Sequence, residues 1–306
     1  MLTSHTHRNL VWIDLDNPTE EEIHWVMDEY GVNQIVAREL MTPTLKPKVD
    51  LYRDYIYLIL HFPTLNRSGG PNIHGTKEID FIIGKDFIIT AHYGEVDFLH
   101  RLAKIFEVNS LLDGDDLGSH AGFLFFFMIR EAYQTLENEL DSIKDRLELA
   151  QANIFNGLER EMVIEISRLS RDLLDFTRAT KLHREILHSF DIAGKKFFGD
   201  GFSYELHSVI NEYYKVESSI ESNRAFLLEL RSTNNSLITT KQNEVMKILT
   251  IMAFVTFPLS LLAGIFGMNT AYMPIVGQNY DFWIIIVLMA LLTGSFFYFF
   301  KKNKWL

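Results

Sequence analysis

The sequence predicts an N-terminal α/β domain with a mixed sheet, joined through charged helices and a long helical stalk to two C-terminal transmembrane helices. Three observations carry this. Short β-rich runs bounded by turn residues alternate with a capped helix as far as about Tyr93. Over residues 204–268 no Gly or Pro interrupts the chain before Pro258 and Gly264. Near the end, residues 248–268 and 282–300 contain no charged side chain.

Taken in order, NLVWIDLD from Asn9 reads as a strand. NPTEEEIHWVMDEYG then starts a helix, with Thr19 and Glu22 spaced as a capping box and Gly31 as its stop. PKVDLYRDYIYLILHFP and KEIDFIIGKDFIITAHY each read as two strands about a turn, at Arg53-Asp54 and Gly84-Lys85. A helix over about 96–107 follows, while His5 and His7 are expected in a mobile terminus. Beyond LLDGDDLGS the character changes to two helical stretches rich in both charge signs over about 119–190, with NIFNGLE as the turn between them. FDIAGKKFFGDGFS is expected to break that pattern. The stretch from Tyr204 then predicts one helix of about 65 residues, roughly 100 Å long at 1.5 Å per residue. Helices of that length rarely stand alone, so self-association is expected. The resulting division is 1–118 (α/β domain), 119–200 (charged helices), 201–247 (stalk), 248–268 (first span), 269–281 (loop), 282–300 (second span) and 301–306 (basic tail).

Composition excludes several functions. Of 306 residues 47% are hydrophobic and none is Cys, which removes disulfides, thiolate zinc sites and cysteine nucleophiles. The formal charge of −11, without a basic stripe, argues against a nucleic-acid partner and suits a cation-rich setting. MLTSHTHRNLVWIDL lacks a basic segment followed by an apolar block, so neither a secretory signal nor a transit peptide is expected in it. Both uncharged runs meet the roughly 20 residues that a bilayer core about 30 Å thick requires, so together they predict a membrane hairpin. Lys241 and Lys247 precede the first, Lys301, Lys302 and Lys304 follow the second, and the connecting NTAYMPIVGQNYD has no Lys or Arg. Positive charge stays inside; both termini and the large N-terminal portion are therefore expected in the cytoplasm.

Steps of three and four along the first run give Asn243, Met246, Thr250, Ala253, Phe257, Ser260, Gly264 and Gly267, polar or small at six of eight positions. Such a line serves either a close helix–helix contact or a water-filled axis shared by several copies. The run ends in Gly267-Met268-Asn269, followed by YMP; NEVMKILT leads into it, and KWL ends the chain. In this arrangement the sequence resembles the CorA family of divalent-cation channels, most sharply over residues 243–306, with GKDFIITAH as a further match.

The resemblance implies a funnel-shaped homopentamer of a prokaryotic inner membrane that passes Mg²⁺, and also Co²⁺ and Ni²⁺, passively down the electrochemical gradient. It implies a pore along Asn243, Met246, Leu249, Phe257, Ser260, Gly264 and Asn269, with Leu249 where the spacing alone gave Thr250. It makes Gly267, Met268 and Asn269 the ion-selecting ring, and Lys301, Lys302 and Lys304 a basic ring at the cytoplasmic face. Mg²⁺ sheds water reluctantly, so Asn269 side-chain carbonyls and the Gly267 carbonyl suit hydrogen bonds to its first water shell. Apolar rings at Met246, Leu249 and Phe257 suit gating by dewetting. Regulatory Mg²⁺ between neighbouring cytoplasmic domains is implied too, at residues the sequence leaves unassigned; no organic cofactor is.

The chain departs from the family where Ala271 and Ile275 replace acidic loop residues, leaving Asp281 and a weaker pull on cations. Phe257 stands for a ring often built from Met, and Ser260 for a Thr ring. Ser208 stands for a regulatory Asp, with Glu205 and Glu212 a turn to either side. A zinc transporter of the ZntB type and a non-transporting membrane-anchored helical scaffold are the alternatives; the intact Gly-Met-Asn favours Mg²⁺. DGDD at Asp113 to Asp116 lacks the rest of a calcium loop, and His183 and His188, five apart, do not share a helix face. No phosphate loop, nucleophile elbow or HExxH supports an enzyme.

Overall fold

The computed structural model describes residues 1–7, 9–44, 46–63, 76–94, 96–108, 120–268, 275, 280–303 and 305. The chain divides into two compact units, Met1–Arg231 and Ser232–Leu306. In the first, β1 (Leu2–His7), β2 (Leu10–Asp16), β3 (Lys48–Leu51), β4 (Ile56–Pro63), β5 (Thr76–Ile83) and β6 (Phe87–His92) form one sheet in the order β1-β2-β6-β5-β4-β3. Only β2 and β6 pair in parallel, so the sheet is mixed. All eight residues of β4 are buried, the pattern of a strand covered on both faces rather than one.

Helices α1 (Glu20–Tyr30) and α2 (Gln34–Glu39) cover one face, where Ile13, Leu15, Ile59, Ile82 and Ile89 pack against Ile23, Val26 and Val36. The predicted capping box is present: Glu22 N donates to Thr19 Oγ1 at 3.3 Å and Thr19 N to Glu22 Oε2 at 2.9 Å. Gly31 ends α1 at φ 63°, a left-handed conformation that glycine adopts without strain. The other sheet face meets α3 (Asp97–Val108) and α4 (Ala121–Phe155) through Phe62 against Phe98 and Phe81 against Phe125. Helix α5 (Glu159–Thr180) returns beside α4, and Arg146 joins them, donating to Glu165 at 2.8 Å and Asp172 at 2.8 Å.

Two expectations need correction, and one element carries no sequence signal. His5 and His7 lie in β1, paired antiparallel with β2, and His5 packs on Trp12 with ring centroids 5.0 Å apart. The α2 segment was not foreseen; at six residues it is too short to show a helical period. The charged region holds three helices rather than two, because α6 (His183–Phe198) runs through the segment expected to break it. Gly194 is a packing residue there: an added Cβ would stand 3.0 Å from Leu206 Cδ1. The break comes later, at Gly199 with φ 94° and a 3₁₀ turn at Asp200–Phe202.

Helix α7 (Ser203–Phe266) then runs 64 residues without interruption. In the first unit it buries Leu206, Val209, Tyr213, Val216, Ile220, Leu227 and Leu230, at steps of three, four and seven. Asn223 Nδ2 ties it to α4 by donating to Leu140 O at 3.0 Å. The second unit holds the rest of α7 and α8 (Asp281–Lys302).

Candidate functional site

The uncharged end of α7 and the whole of α8 are both long and apolar enough to cross a membrane. Each carries one less exposed stripe. On α7 it comprises Ile251, Val255, Pro258, Leu262 and Phe266; on α8 it comprises Ile285, Met289, Leu292, Phe296 and Phe300. The steps of three and four keep each stripe on one helix face. Phe254 and Phe300 meet at a centroid distance of 6.5 Å, and Phe300 stacks on Trp305 at 6.0 Å.

At about 100° per residue, the α7 stripe centres near 20° if Ile251 is set to zero, and Met246, Leu249, Phe257, Ser260 and Gly264 centre near 200°. These five residues thus lie on the face turned away from the stripe, where Ala253 of the same sequence line is partly covered. All five are exposed, Leu249 by 59% and Phe257 by 72%. Asn243 is exposed as well but falls about 80° from the centre of that line. Thr250 is partly covered, and its hydroxyl donates to Met246 O at 2.7 Å, so its polar group is satisfied within the helix.

Two backbone features shape this segment. Pro258 has no N–H, so the α7 bond that would reach the Phe254 carbonyl is missing. At the far end Gly267 N donates to Ala263 O at 2.9 Å and Met268 N to Ile265 O at 3.2 Å, closing the helix. An added Cβ at Gly267 would stand 2.9 Å from the Ala263 carbonyl oxygen, a separation real Cβ atoms do not adopt. Glycine is required there for close approach. Asn269 and Lys304, like Asp113 to Asp116, Thr270, Ala271 and Tyr272, lie outside the described residues. Lys301 and Lys302 form the last turn of α8.

Among the described residues no group of three or more His, Asp or Glu is arranged to hold a metal ion. Near Ser208, Glu212 accepts from Lys215 at 2.9 Å, and burial together with the Glu212 charge raises the Glu137 pKa. One Glu205 carboxylate oxygen is buried without a partner.

The sequence reading passed over the polar groups of the sheet. His183 is fully buried; its Nε2 donates to His61 O at 2.8 Å and its Nδ1 accepts from Tyr133 Oη at 2.9 Å. Burial holds its pKa down to about 4, so it is a neutral core histidine with a fixed tautomer. On the same sheet face His92 lies between Asp14 and the Gly94 carbonyl, at 3.3 and 2.7 Å. No spacing in the sequence marks these groups, because strands distant in the chain bring them together.

A mixed sheet between helical layers, a 64-residue helix with an uncharged end and a second apolar helix define a two-span membrane protein. The chain matches the family model of the CorA-like Mg²⁺ transporter protein over residues 7–302 and belongs to that family. It is 23% identical over 300 residues to the cobalt/magnesium transport protein CorA of Methanocaldococcus jannaschii, covering 97% of this chain and 92% of that one. It is 22% identical to the cobalt/magnesium transport protein CorA of Thermotoga maritima, covering 96% and 83%. The structure of the CorA magnesium transporter from Methanocaldococcus jannaschii shares its fold, with a TM-score of 0.84 at 21% identity, over 99% of this chain and 94% of that one.

Proposed function

We propose that this chain forms a homopentameric channel in a prokaryotic inner membrane, passing Mg²⁺, and also Co²⁺ and Ni²⁺, inward down the electrochemical gradient. Both termini and the first unit lie in the cytoplasm; residues 269–281 face outward. One observation carries the reading: the α7 face turned away from its covered stripe is lined by Met246, Leu249, Phe257, Ser260 and Gly264 and leads to Gly267-Met268-Asn269. That face needs a partner that α8 does not supply, and copies around an axis supply one. At the outer end the Asn269 amides bind the water shell of the cation, which suits an ion that dehydrates slowly. Met246, Leu249 and Phe257 form apolar rings that dewet when narrow. Gly264 and Ser260 leave room for a hydrated ion, Asn243 marks the inner end, and Lys301, Lys302 and Lys304 ring the cytoplasmic face.

Mg²⁺ bound between neighbouring first units holds the closed state, and its loss releases them, so that the transported ion limits its own entry through differential affinity. The test is flux into liposomes with Mg²⁺, Co²⁺, Ni²⁺ and Zn²⁺ compared, with and without a hexahydrated-cation mimic as blocker. Asn269→Ala is expected to abolish Mg²⁺ flux while the protein still inserts and assembles. Undiminished Mg²⁺ flux in that variant, or transport of Zn²⁺ in preference to Mg²⁺, overturns the reading.

A further inference from the structure

In the first unit the connection between α2 and β3 is fastened to the sheet by side chains that titrate. Glu78 on β5 receives Thr44 N on Oε2 at 2.6 Å and Thr44 Oγ1 on Oε1 at 3.2 Å. His61 on β4 lies directly across from Glu78 in the register. Its Nε2 is 2.9 Å from Thr44 O and 3.1 Å from Glu78 Oε2. Both neighbours of that nitrogen are acceptors, so Nε2 carries a proton and donates. One backbone residue, Thr44, is thus held at its N–H and its carbonyl by an acid and an imidazole that also hold each other. The two side chains are only 10% and 3% exposed.

We propose that His61 and Glu78 form a proton-dependent latch on the connection that leaves α2, closed when the imidazole is charged and loosened when it is neutral.

The surrounding groups decide the charge balance. Asp80, two residues along β5, is fully buried; its Oδ2 accepts from Tyr57 Oη at 3.2 Å. Burial, and then the charge of Glu78, push the Asp80 pKa well up, which disfavours a second carboxylate charge beside Glu78. Burial likewise pushes up the phenols of Tyr57 and Tyr93 on this side, which stay neutral. Glu39 at the end of α2 and Asp50 on β3 are both paired with Lys48, at 2.7 and 2.8 Å. Among the described residues His61 is the basic side chain placed against Glu78, at 3.1 Å. Burial works against charging the imidazole, but the hydrogen bonds to Glu78 and Thr44 and the Glu78 charge outweigh it, and its pKa is raised above 6.5. His61 Nδ1 is buried without a partner. That opposing pull keeps the ring poised to titrate rather than locked as a cation.

The two sides of the latch are held differently. His183 Nε2 donates to the His61 carbonyl at 2.8 Å and Tyr133 holds His183 in turn, so β4 is anchored from behind. On the other side the connection is exposed where it leaves α2, Met41 by 40%. With His61 raised in the folded state, the latch is closed below about pH 6.5 and weakens as pH rises through the folded value. It does not rest on the transport reading, since every group lies in the first unit.

The test uses the full-length protein in detergent. Amide hydrogen exchange of the peptide containing Thr44 is measured at about pH 6 and about pH 8.5, on either side of the histidine range, and corrected for the intrinsic pH dependence. Protection is expected to fall about tenfold, the factor that accompanies loss of one charge-assisted hydrogen bond. His61→Gln, which keeps an N–H for the Thr44 carbonyl, removes the pH step, and Glu78→Gln moves it to lower pH. Exchange of the histidine C2 hydrogen in the unaltered protein gives the His61 midpoint directly, independent of whether either variant folds. A midpoint at or below the ordinary value of 6.5, or the same pH step in His61→Gln, overturns the latch.

Discussion

The α7 face assignment makes a quantitative prediction because the chain has no cysteine of its own. Single cysteines placed along residues 246–264 become the sole thiols, and a charged methanethiosulfonate reagent reports which of them meet water. From Met246 to Gly264 the helix advances about 27 Å, close to the thickness of a bilayer core. The covered stripe and the open line are centred about 180° apart. Water-facing thiols ionise near pH 8.5, whereas thiols in an apolar setting remain protonated and inert. Cysteines at Met246, Leu249, Phe257, Ser260 and Gly264 are expected to react in reconstituted protein. Those at Ile251, Val255 and Leu262 are expected to react at least about 100-fold more slowly, since transfer of a charged group to the bilayer interior costs about 3 kcal/mol or more. The reaction is followed by intact mass, and its rate plotted against position should repeat every 3.6 residues. Uniform reactivity around the helix, or faster reaction on the Ile251 stripe, would refute the assignment.

Other predictions address the first unit. Tyr133→Phe removes the hydroxyl that donates to a fully buried His183 Nδ1; chemical denaturation should show a loss of about 1–3 kcal/mol, and a loss within error would sink the fixed-tautomer account. Thr19→Ala opens the capping box and is expected to cost about 1 kcal/mol in the same assay. For His92, burial pulls the pKa down, but Asp14, the Gly94 carbonyl and Asp16 together raise it above 6.5. The raised folded value means that its contribution is full below about pH 6.5 and lost as pH climbs past it. The melting difference between the unaltered protein and His92→Gln should therefore shrink from pH 6 to pH 9 (approximate limits); a difference that grows contradicts the charge assignment.

How much was legible follows from where each signal resides. The Thr19–Glu22 box, the Gly84-Lys85 turn and the uncharged runs are local, and the structure contains the elements they predict. Signals that depend on a distant partner were lost. Strand β1 alternates Thr, Ser and His, and is recognisable only once β2 lies beside it. Gly194 looks like a breaker until Leu206 arrives against it. His183 and His188 were set aside as metal ligands for their spacing, yet spacing says nothing of the Tyr133 and His61 groups that make His183 a core residue. The proposed pore line is a different case: its period is readable, but Leu249 enters it through the resemblance, because Leu249 and Thr250 both fit steps of three and four.

Helix α7 also sets a condition on what must surround it. Its first turns bury a narrow seam from Leu206 to Leu230, and that packing, rather than intrinsic propensity, holds a helix in water. Over residues 239–249 every position is exposed, although Val245, Met246, Ile248 and Leu249 are apolar and between 54% and 64% exposed. Thr239 and Thr240 direct their hydroxyls back to the helix carbonyls of Asn235 and Ser236 at 2.9 Å, an arrangement that slightly weakens a helix rather than reinforcing it. Three turns without a covered face do not sustain themselves in water. Membrane lipid cannot cover them either, since Lys241, Glu244 and Lys247 lie among them. In the proposed assembly the same segment of further copies, each presenting its apolar side inward, covers Met246 and Leu249 while leaving those charges wet. On the channel reading proposed above, gate and assembly are one requirement: a substitution that makes residues 245–249 uniformly polar should loosen the proposed oligomer and its closed pore together.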